Sequence, residues 1–355
     1  MAGPWGTGPY KLVEGFSTPE KRADRVVFEA NTTYWDPSRM PRLQRIVFDY
    51  TLGQQEAVER VKTAEGQVDL VSELSPLETL RVAQSTFAQV VKNRGALMTV
   101  FGFFNMSKAD SPWHDLRLRQ AVNLAINRED LIRYAAKGNG EIIPALVPRR
   151  GFGYDPDLPA YPFEPDKARQ LLRDAGYPMG RAVTLIASED LAIQATVVGK
   201  MLEQVGFTVE LQLLDQVVFN QQTQVSAPEP LLEHQGWDIA VTSWLDTLNF
   251  PPLQIYHFFA LDGPYDWLSE QPELRQLNER VLRTTDRAQQ QAVIRQMERH
   301  TRDQAYFLFL YNPIELYAAN KAVAFVPYVN MLNLAETAVT EQHWSVRKQK
   351  ATGQE

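Results

Sequence analysis

Two apolar runs constrain this 355-residue chain more than anything else in it. The first, Met98 to Phe104 (MTVFGFF), is too short for a membrane span and bulky enough for a strand buried on both faces. The second, Ala305 to Tyr311 (AYFLFLY), has the same character. Between them lies a block of roughly two hundred residues in which strand and helix patterns alternate, and the chain outside the block alternates as well. An α/β class follows. The bracketing reads as one domain inserted into another, with residues 1–99 and 306–350 forming the first and 100–305 the second. The two apolar runs then serve as crossings.

Local signals place the elements. Asp115 suits the N-cap of a helix whose Leu118, Val122 and Ala125 share a face, and Asn127 suits the cap of a second helix with Glu129 and Asp130 in its first turn. Residues 54–64 fit a helix ended by Gly66, and Ser75-Pro76 a helix start. Pro144 to Pro165 is a proline-rich loop without periodicity. Val183–Ala187, Thr208–Leu214 and Trp237–Trp244 read as strands, 272–283 and 287–302 as amphipathic helices, and the polar tail after Arg347 as frayed.

Composition excludes several functions. A net charge of −7 without a basic run argues against a nucleic-acid partner. The absence of cysteine removes disulfides, thiolate metal sites and cysteine nucleophiles. His114, His234, His257, His300 and His343 show no close ligand spacing. No glycine-rich nucleotide loop or nucleophile elbow is present, and no cofactor is implied. The first ten residues, MAGPWGTGPY, lack the features of a secretory signal.

Several motifs in order carry a resemblance: Gly6-Thr7-Gly8-Pro9-Tyr10; Asn31 with Tyr34-Trp35; Gly66-Gln67-Val68-Asp69; Asn105; Asp115 with Arg117-Leu118-Arg119-Gln120-Ala121; Ala125-Ile126-Asn127-Arg128; and Lys167-Ala168 through Ala175-Gly176-Tyr177. Together they resemble the family 5 solute-binding proteins of ABC importers, of the oligopeptide-, dipeptide- and nickel-binding type. The resemblance implies a bilobal periplasmic-binding-protein-like fold of class II type. It implies a non-enzymatic, extracytoplasmic protein that encloses a peptide or similar small polar solute between lobes and delivers it to the permease's transmembrane subunits. Family members carry a long segment and a signal or lipoprotein peptide before the GTGPY element, so the first lobe is expected to be incomplete here. A ligand-sensing module of a regulatory protein is the alternative. A hydrolase using Asp246 and Glu189 has no support beyond the presence of two acids.

The candidate ligand residues are Trp244, Asp246, Thr247, Asn249 and Asn105. In the peptide-binding relatives, the stretch matching Ser243 to Pro251 reads Trp, two residues, Asp, then Pro. The Trp lines the pocket and the Asp meets the ligand's amino group. Trp244 and Pro251 fit that frame, but Asp246 comes one residue early and Thr247 holds its place. The dipeptide binders' carboxylate-gripping Arg is also missing. The loop after Val183–Ala187 reads Ser188-Glu189-Asp190, which suits a helix cap or a cationic ligand. Arg117 and Arg119 read as scaffold ties rather than ligand contacts.

Overall fold

Strand β6 (Met98–Phe104) is buried almost throughout, because its two faces meet different layers. Phe101 and Phe103 point one way. Phe101 packs edge-on against Phe259 and Phe307 at 5.0 and 5.7 Å, and Phe103 against Trp237 at 5.4 Å. Phe104 points the other way, onto Trp113 at 5.1 Å. A strand covered on both faces needs a continuous apolar run rather than alternation. Gly102 lets its neighbours close in, since a Cβ there would lie 3.1 Å from Leu308 Cβ.

The computed structural model describes residues 6–352 except 17, 19–20, 66, 179, 226–235, 269–270, 330–331 and 335, with side chains as far as 348. Gly66 and His234 therefore lie outside the described residues. The chain divides into two units, Met1–Arg94 with Glu315–Glu355, and Gly95–Ile314. It changes unit at 94/95 and 314/315, where the sequence suggests 99/100 and 305/306. Both apolar runs lie inside the second unit as paired neighbours.

The first unit holds three small sheets. Strands β1 (Tyr10–Glu14), β2 (Arg25–Ala30) and β3 (Arg45–Asp49) form an antiparallel meander. Helix α1 (Gln54–Val61) precedes β4 (Leu70–Val71), and helix α2 (Thr79–Ala83) precedes β5 (Ala88–Asn93). Strand β12 (Glu315–Asn320) lies between β4 and β5, and β13 (Val323–Ala324) pairs with β14 (Ala338–Val339). The tail expected to fray is helix α11 (Trp344–Thr352). Its start is held from outside the helix. His343 Nδ1 accepts from the Ser345 hydroxyl at 2.7 Å and its backbone N–H at 3.3 Å, while Nε2 pairs with Asp69 Oδ1 at 2.9 Å. The chain Ser345–His343–Asp69 has the connectivity of a proton relay, but the Ser345 N–H on the same nitrogen marks it as a helix cap. His343→Ala is expected to cost about 1–2 kcal/mol and to speed amide exchange selectively in 344–352. Unchanged exchange there would refute the cap.

The second unit has a six-stranded sheet in the order β7-β11-β6-β10-β8-β9. Its strands are β6, β7 (Gly140–Ile142), β8 (Ala182–Ser188), β9 (Thr208–Leu214), β10 (Ile239–Leu245) and β11 (Phe307–Pro313). Strands β8, β9 and β10 are parallel, whereas β6 runs antiparallel to β10 and β11 antiparallel to β6. The helices are α3 (Leu116–Leu124), α4 (Arg128–Ala135), α5 (Pro165–Asp174), α6 (Ala192–Val205), α7 (Gln216–Thr223), α8 (Ile255–Ala260), α9 (Pro272–Arg283) and α10 (Arg287–Asp303). Asp115 and Asn127 cap α3 and α4 as their chemistry predicts, accepting from the N–H groups of Arg117 and Asp130. Strand β11 begins two residues later than the apolar run. Ala305 (φ +47°) turns the chain out of α10, and the Tyr306 N–H still bonds Thr301 O. Ser188 is not a side-chain cap, since its hydroxyl makes no capping bond and the turn Glu189–Leu191 follows it directly.

Candidate functional site

The parallel strands β8, β9 and β10 end on the same side of the second unit's sheet. In open α/β sheets, ligands gather outside the carboxyl ends of such strands. The chain also enters and leaves the unit on this side. Met98 at the start of β6 lies opposite Leu245, and Tyr311 near the end of β11 lies opposite Val100. The stretch from Trp244 to Pro251 sits here.

Trp244 is half-buried. Its ring packs on Phe258 at 4.6 Å, edge-on to Phe259 at 5.2 Å and near Tyr265 at 6.3 Å. Its indole Nε1–H is buried without a hydrogen-bond partner among the described residues. Such a donor is costly to leave unmade, and donors left so in native folds often mark function. Trp244 lines a pocket of about 10 Å³, room for roughly one water, together with Leu97, Thr99, Leu146, Val147, Pro148, Asp246, Pro251 and Ile255.

Asp246 is buried, at 6% exposure, and faces inward. Its Oδ1 accepts from the Leu248 and Phe250 N–H groups at 3.2 and 3.1 Å, folding the loop back on itself. Its own N–H donates to Leu97 O at 2.9 Å. Burial raises the carboxyl pKa, and the backbone N–H groups oppose that shift without overcoming it. Ionisation therefore disfavours the folded state, and this contribution to stability falls as pH rises through the carboxylate range. Asp246→Asn, which keeps an acceptor and removes the charge, is expected to stay within about 1 kcal/mol of wild type. Asp246→Ala loses both turn bonds and is expected to cost about 2 kcal/mol by urea titration. Equal effects from the two variants would refute the turn-organising role.

Thr247 is exposed on the turn. Asn249 adopts φ +48°, and its Oδ1 accepts from the Phe152 N–H at 2.7 Å. It thereby ties this turn to the proline-rich loop, where Phe152 stacks on Phe250. Asn105 lies elsewhere. It follows β6 at the opposite end of β10, about 20 Å away for a seven-residue strand. Its side chain accepts from Ser107 and donates to Trp237 O at 3.2 Å. The structure thus brings Trp244, Asp246, Thr247 and Asn249 into one loop and places Asn105 apart, in a structural turn.

A second hub near Asn105 went unread in the sequence. Asp238, buried just before β10, accepts from Trp113 Nε1 at 3.0 Å, the Arg181 guanidinium at 2.9 Å and the Thr184 N–H at 3.0 Å. The charge before a strand was the only signal. Arg117 and Arg119 act as scaffold ties. Arg117 grips the Asp115 carboxylate and Asp174 O, and Arg119 donates to Trp113 O, His114 O and Gln304 O. A cleft of about 390 Å³ lined by Gln120, Leu124, Tyr161, Pro162, Lys167, Arg302 and Asp303 shares no residue with the Trp244 pocket. Among the described residues, no group of three or more His, Cys, Asp or Glu side chains could hold a metal ion, and no helix is long and apolar enough to cross a membrane.

Residues 1–266 match the family described as bacterial extracellular solute-binding proteins, family 5. The chain is 25% identical over 320 residues to the glutathione-binding protein of Pectobacterium atrosepticum, covering 86% of this chain and 58% of that protein. It is 26% identical over 184 residues to the dipeptide-binding protein of Escherichia coli, covering 52% and 32%. It therefore spans between a third and three fifths of these relatives' lengths. Among solved structures, an ABC transporter substrate-binding protein of Listeria monocytogenes superposes with a TM-score of 0.78 at 18% identity, over 95% of this chain and 67% of that one. The Brucella suis protein NikA, solved with Fe(III)-EDTA, gives 0.77 at 19%, over 94% and 68%. At these identities the superpositions establish the fold alone, the mixed α/β fold of periplasmic binding proteins.

Proposed function

Because this chain belongs to the bacterial extracellular solute-binding proteins of family 5, we propose that it serves an ABC import system outside the cytoplasm. It captures a peptide or similar small polar solute and passes it to the permease's transmembrane subunits. The loop from Trp244 to Pro251 contributes to the solute site. The observation that supports this most is the Trp244 indole, whose buried N–H lacks a partner at the carboxyl end of the parallel strands. An aromatic face with a spare donor suits a peptide, offering a shelf for an apolar side chain and a bond for a carbonyl.

The inward turn of Asp246 shapes the specificity. Its Oδ1 accepts from two backbone N–H groups, and Thr247, the residue in the frame position, is exposed on the turn. A hydroxyl meets an ammonium more weakly than a carboxylate does. The site therefore selects less for a free amino terminus than a carboxylate-bearing one would, and N-acetylated peptides are accepted alongside free ones.

Calorimetric titration of the chain with glutathione, Met-Leu and N-acetyl-Met-Leu tests this. Binding of at least one, with free and acetylated dipeptide within about threefold of each other, is the expected result. No heat from any of them would sink the peptide reading. A strong preference for the free amine would return the amino-group contact to Asp246.

A further inference from the structure

Beside its buried apolar residues Val293, Ile294 and Met297, helix α10 carries a polar stripe. Arg295, Glu298, Arg299 and Arg302 fall at i, i+3, i+4 and i+7, on one face. Each holds part of the proline-rich loop. Arg295 Nε donates to Tyr154 O at 3.1 Å, Arg299 pairs with Asp155 at 2.6 Å, and Arg302 Nε donates to Pro159 O at 3.0 Å. Glu298 Oε2 accepts from the Leu146 and Val147 N–H groups at 3.1 and 2.8 Å. This stripe fastens a loop that has no regular structure of its own.

Glu298 differs from its three neighbours. It is the acceptor among donors, it is 1% exposed, and no cation among the described residues pairs with it. Its Oε1 takes a third bond, from the Tyr256 hydroxyl of α8. A buried carboxylate without a counter-cation is costly, and an apolar side chain would fill the same space more favourably. What an apolar side chain lacks is the ability to hold two consecutive backbone N–H groups. The segment held is one side of the Trp244 pocket. Leu146, Val147 and Pro148 line it together with Trp244, Asp246 and Pro251. Thr99 Oγ1 of β6 fixes the same segment by donating to Leu146 O at 2.8 Å.

We propose that Glu298 is a positioning residue for the solute site, a clamp whose carboxylate holds the Leu146–Val147 wall of the Trp244 pocket. This rests on the reading of the Trp244 pocket as part of that site. The charged and titratable groups around Glu298 are Tyr256 from α8 and Asp155 from the loop, with Arg299 of α10 paired to Asp155. Burial, with a smaller push from Asp155, raises the Glu298 carboxyl to about 7, against the pull of its three hydrogen bonds. Protonation turns charge-assisted bonds into neutral ones of about half the strength. The wall is then held less firmly, and ordering it on binding costs more. Stability has the opposite sign. From the ordinary carboxyl value up to about 7 the folded chain keeps a proton that the unfolded chain has released, so this contribution falls with rising pH and is flat above.

The test compares the full chain with Glu298→Gln and Glu298→Leu by hydrogen exchange read on peptides spanning Leu146 and Val147. Gln keeps an oxygen for both N–H groups and presents its amide to Tyr256 Oη, but does not titrate. After correction for intrinsic exchange, wild-type protection at the two amides is expected to fall several-fold from about pH 8 to 6. The Gln variant is expected to show no such step, and the Leu variant to lose about tenfold at every pH. Wild-type protection in the Leu variant, or a persisting step in the Gln variant, overturns the clamp. A parallel titration with glutathione and Met-Leu separates the two claims. If neither binds the wild-type chain, the solute reading fails while exchange still decides the clamp. If one binds, its affinity is expected to weaken severalfold in the Leu variant, and an unchanged affinity overturns the positioning role.

Discussion

Arg128→Ala is expected to lower the chain's unfolding free energy by about 4 kcal/mol, among the largest single-residue effects in the second unit. Arg128 is the first residue of α4, directly after the Asn127 cap, and is 3% exposed. Its guanidinium makes five bonds, all to oxygens: Phe309 O at 2.8 Å, Asn123 O and Oδ1 at 3.1 Å, and Ile126 O and Tyr161 O at 3.2 Å. No carboxylate among the described residues balances it, so carbonyl dipoles and the nearby Tyr161 ring stabilise the charge. Burial lowers its pKa to about 10, which still leaves it charged at neutral pH. One side chain thereby joins α3, α4, β11 and the proline-rich loop. Truncation leaves several buried acceptors without donors. Arg128→Lys has three donors on one nitrogen and cannot match the planar fork, so it is expected to cost about 2–3 kcal/mol. Urea titration measures both variants, and a loss below about 1 kcal/mol for Ala would refute this account.

Trp244→Ala is expected to weaken the binding of whichever peptide the wild-type chain takes by at least about thirtyfold. The same substitution opens a cavity beside Phe258 and Phe259 and costs about 3 kcal/mol of stability. Trp244→Phe separates the two effects. It keeps an aromatic ring against Phe258 but removes the indole N–H, so stability is expected to change by about 1 kcal/mol or less while affinity still falls about tenfold. Calorimetry on all three proteins gives the comparison. If Trp244→Phe binds as wild type, the N–H makes no bond to the solute. If Trp244→Ala also does, the pocket is not part of the site.

Much of this was legible because it is local. The continuous apolar run marks β6 as a doubly covered strand, since neither face reaches water. Asp115 and Asn127 announce their helices because a cap bonds a backbone group two or three residues away. The amphipathic helix that carries Arg295, Glu298, Arg299 and Arg302 was also legible. What it grips was not, because the partner loop lies some hundred and forty residues earlier and has no periodicity. The candidate site was legible in part. The stretch from Trp244 to Asn249 forms one loop, but Asn105 falls at the far end of β10, and separating them requires the antiparallel register of β6 against β10. Asp246 stands in the sequence as a candidate ligand contact, one residue early for the family's frame. The structure buries it, with Oδ1 accepting from two N–H groups of its own loop while the side chain still lines the Trp244 pocket.

The sequence by itself determined the α/β class, most of the strands and helices, the caps and the family, all of which depend on neighbours within a few residues or on motifs in order. Only the tertiary structure decided that the two apolar runs are paired strands of one sheet. It also decided that Asp246 faces inward beside Thr247, and that Glu298 and Arg128 bury their charges on backbone groups. Those outcomes depend on register and on desolvation. The register and the burial of Glu298 and Arg128 need partners from about thirty to just over two hundred residues away, beyond any local window, whereas the Asp246 turn is closed within its own loop and anchored by Leu97 from far upstream.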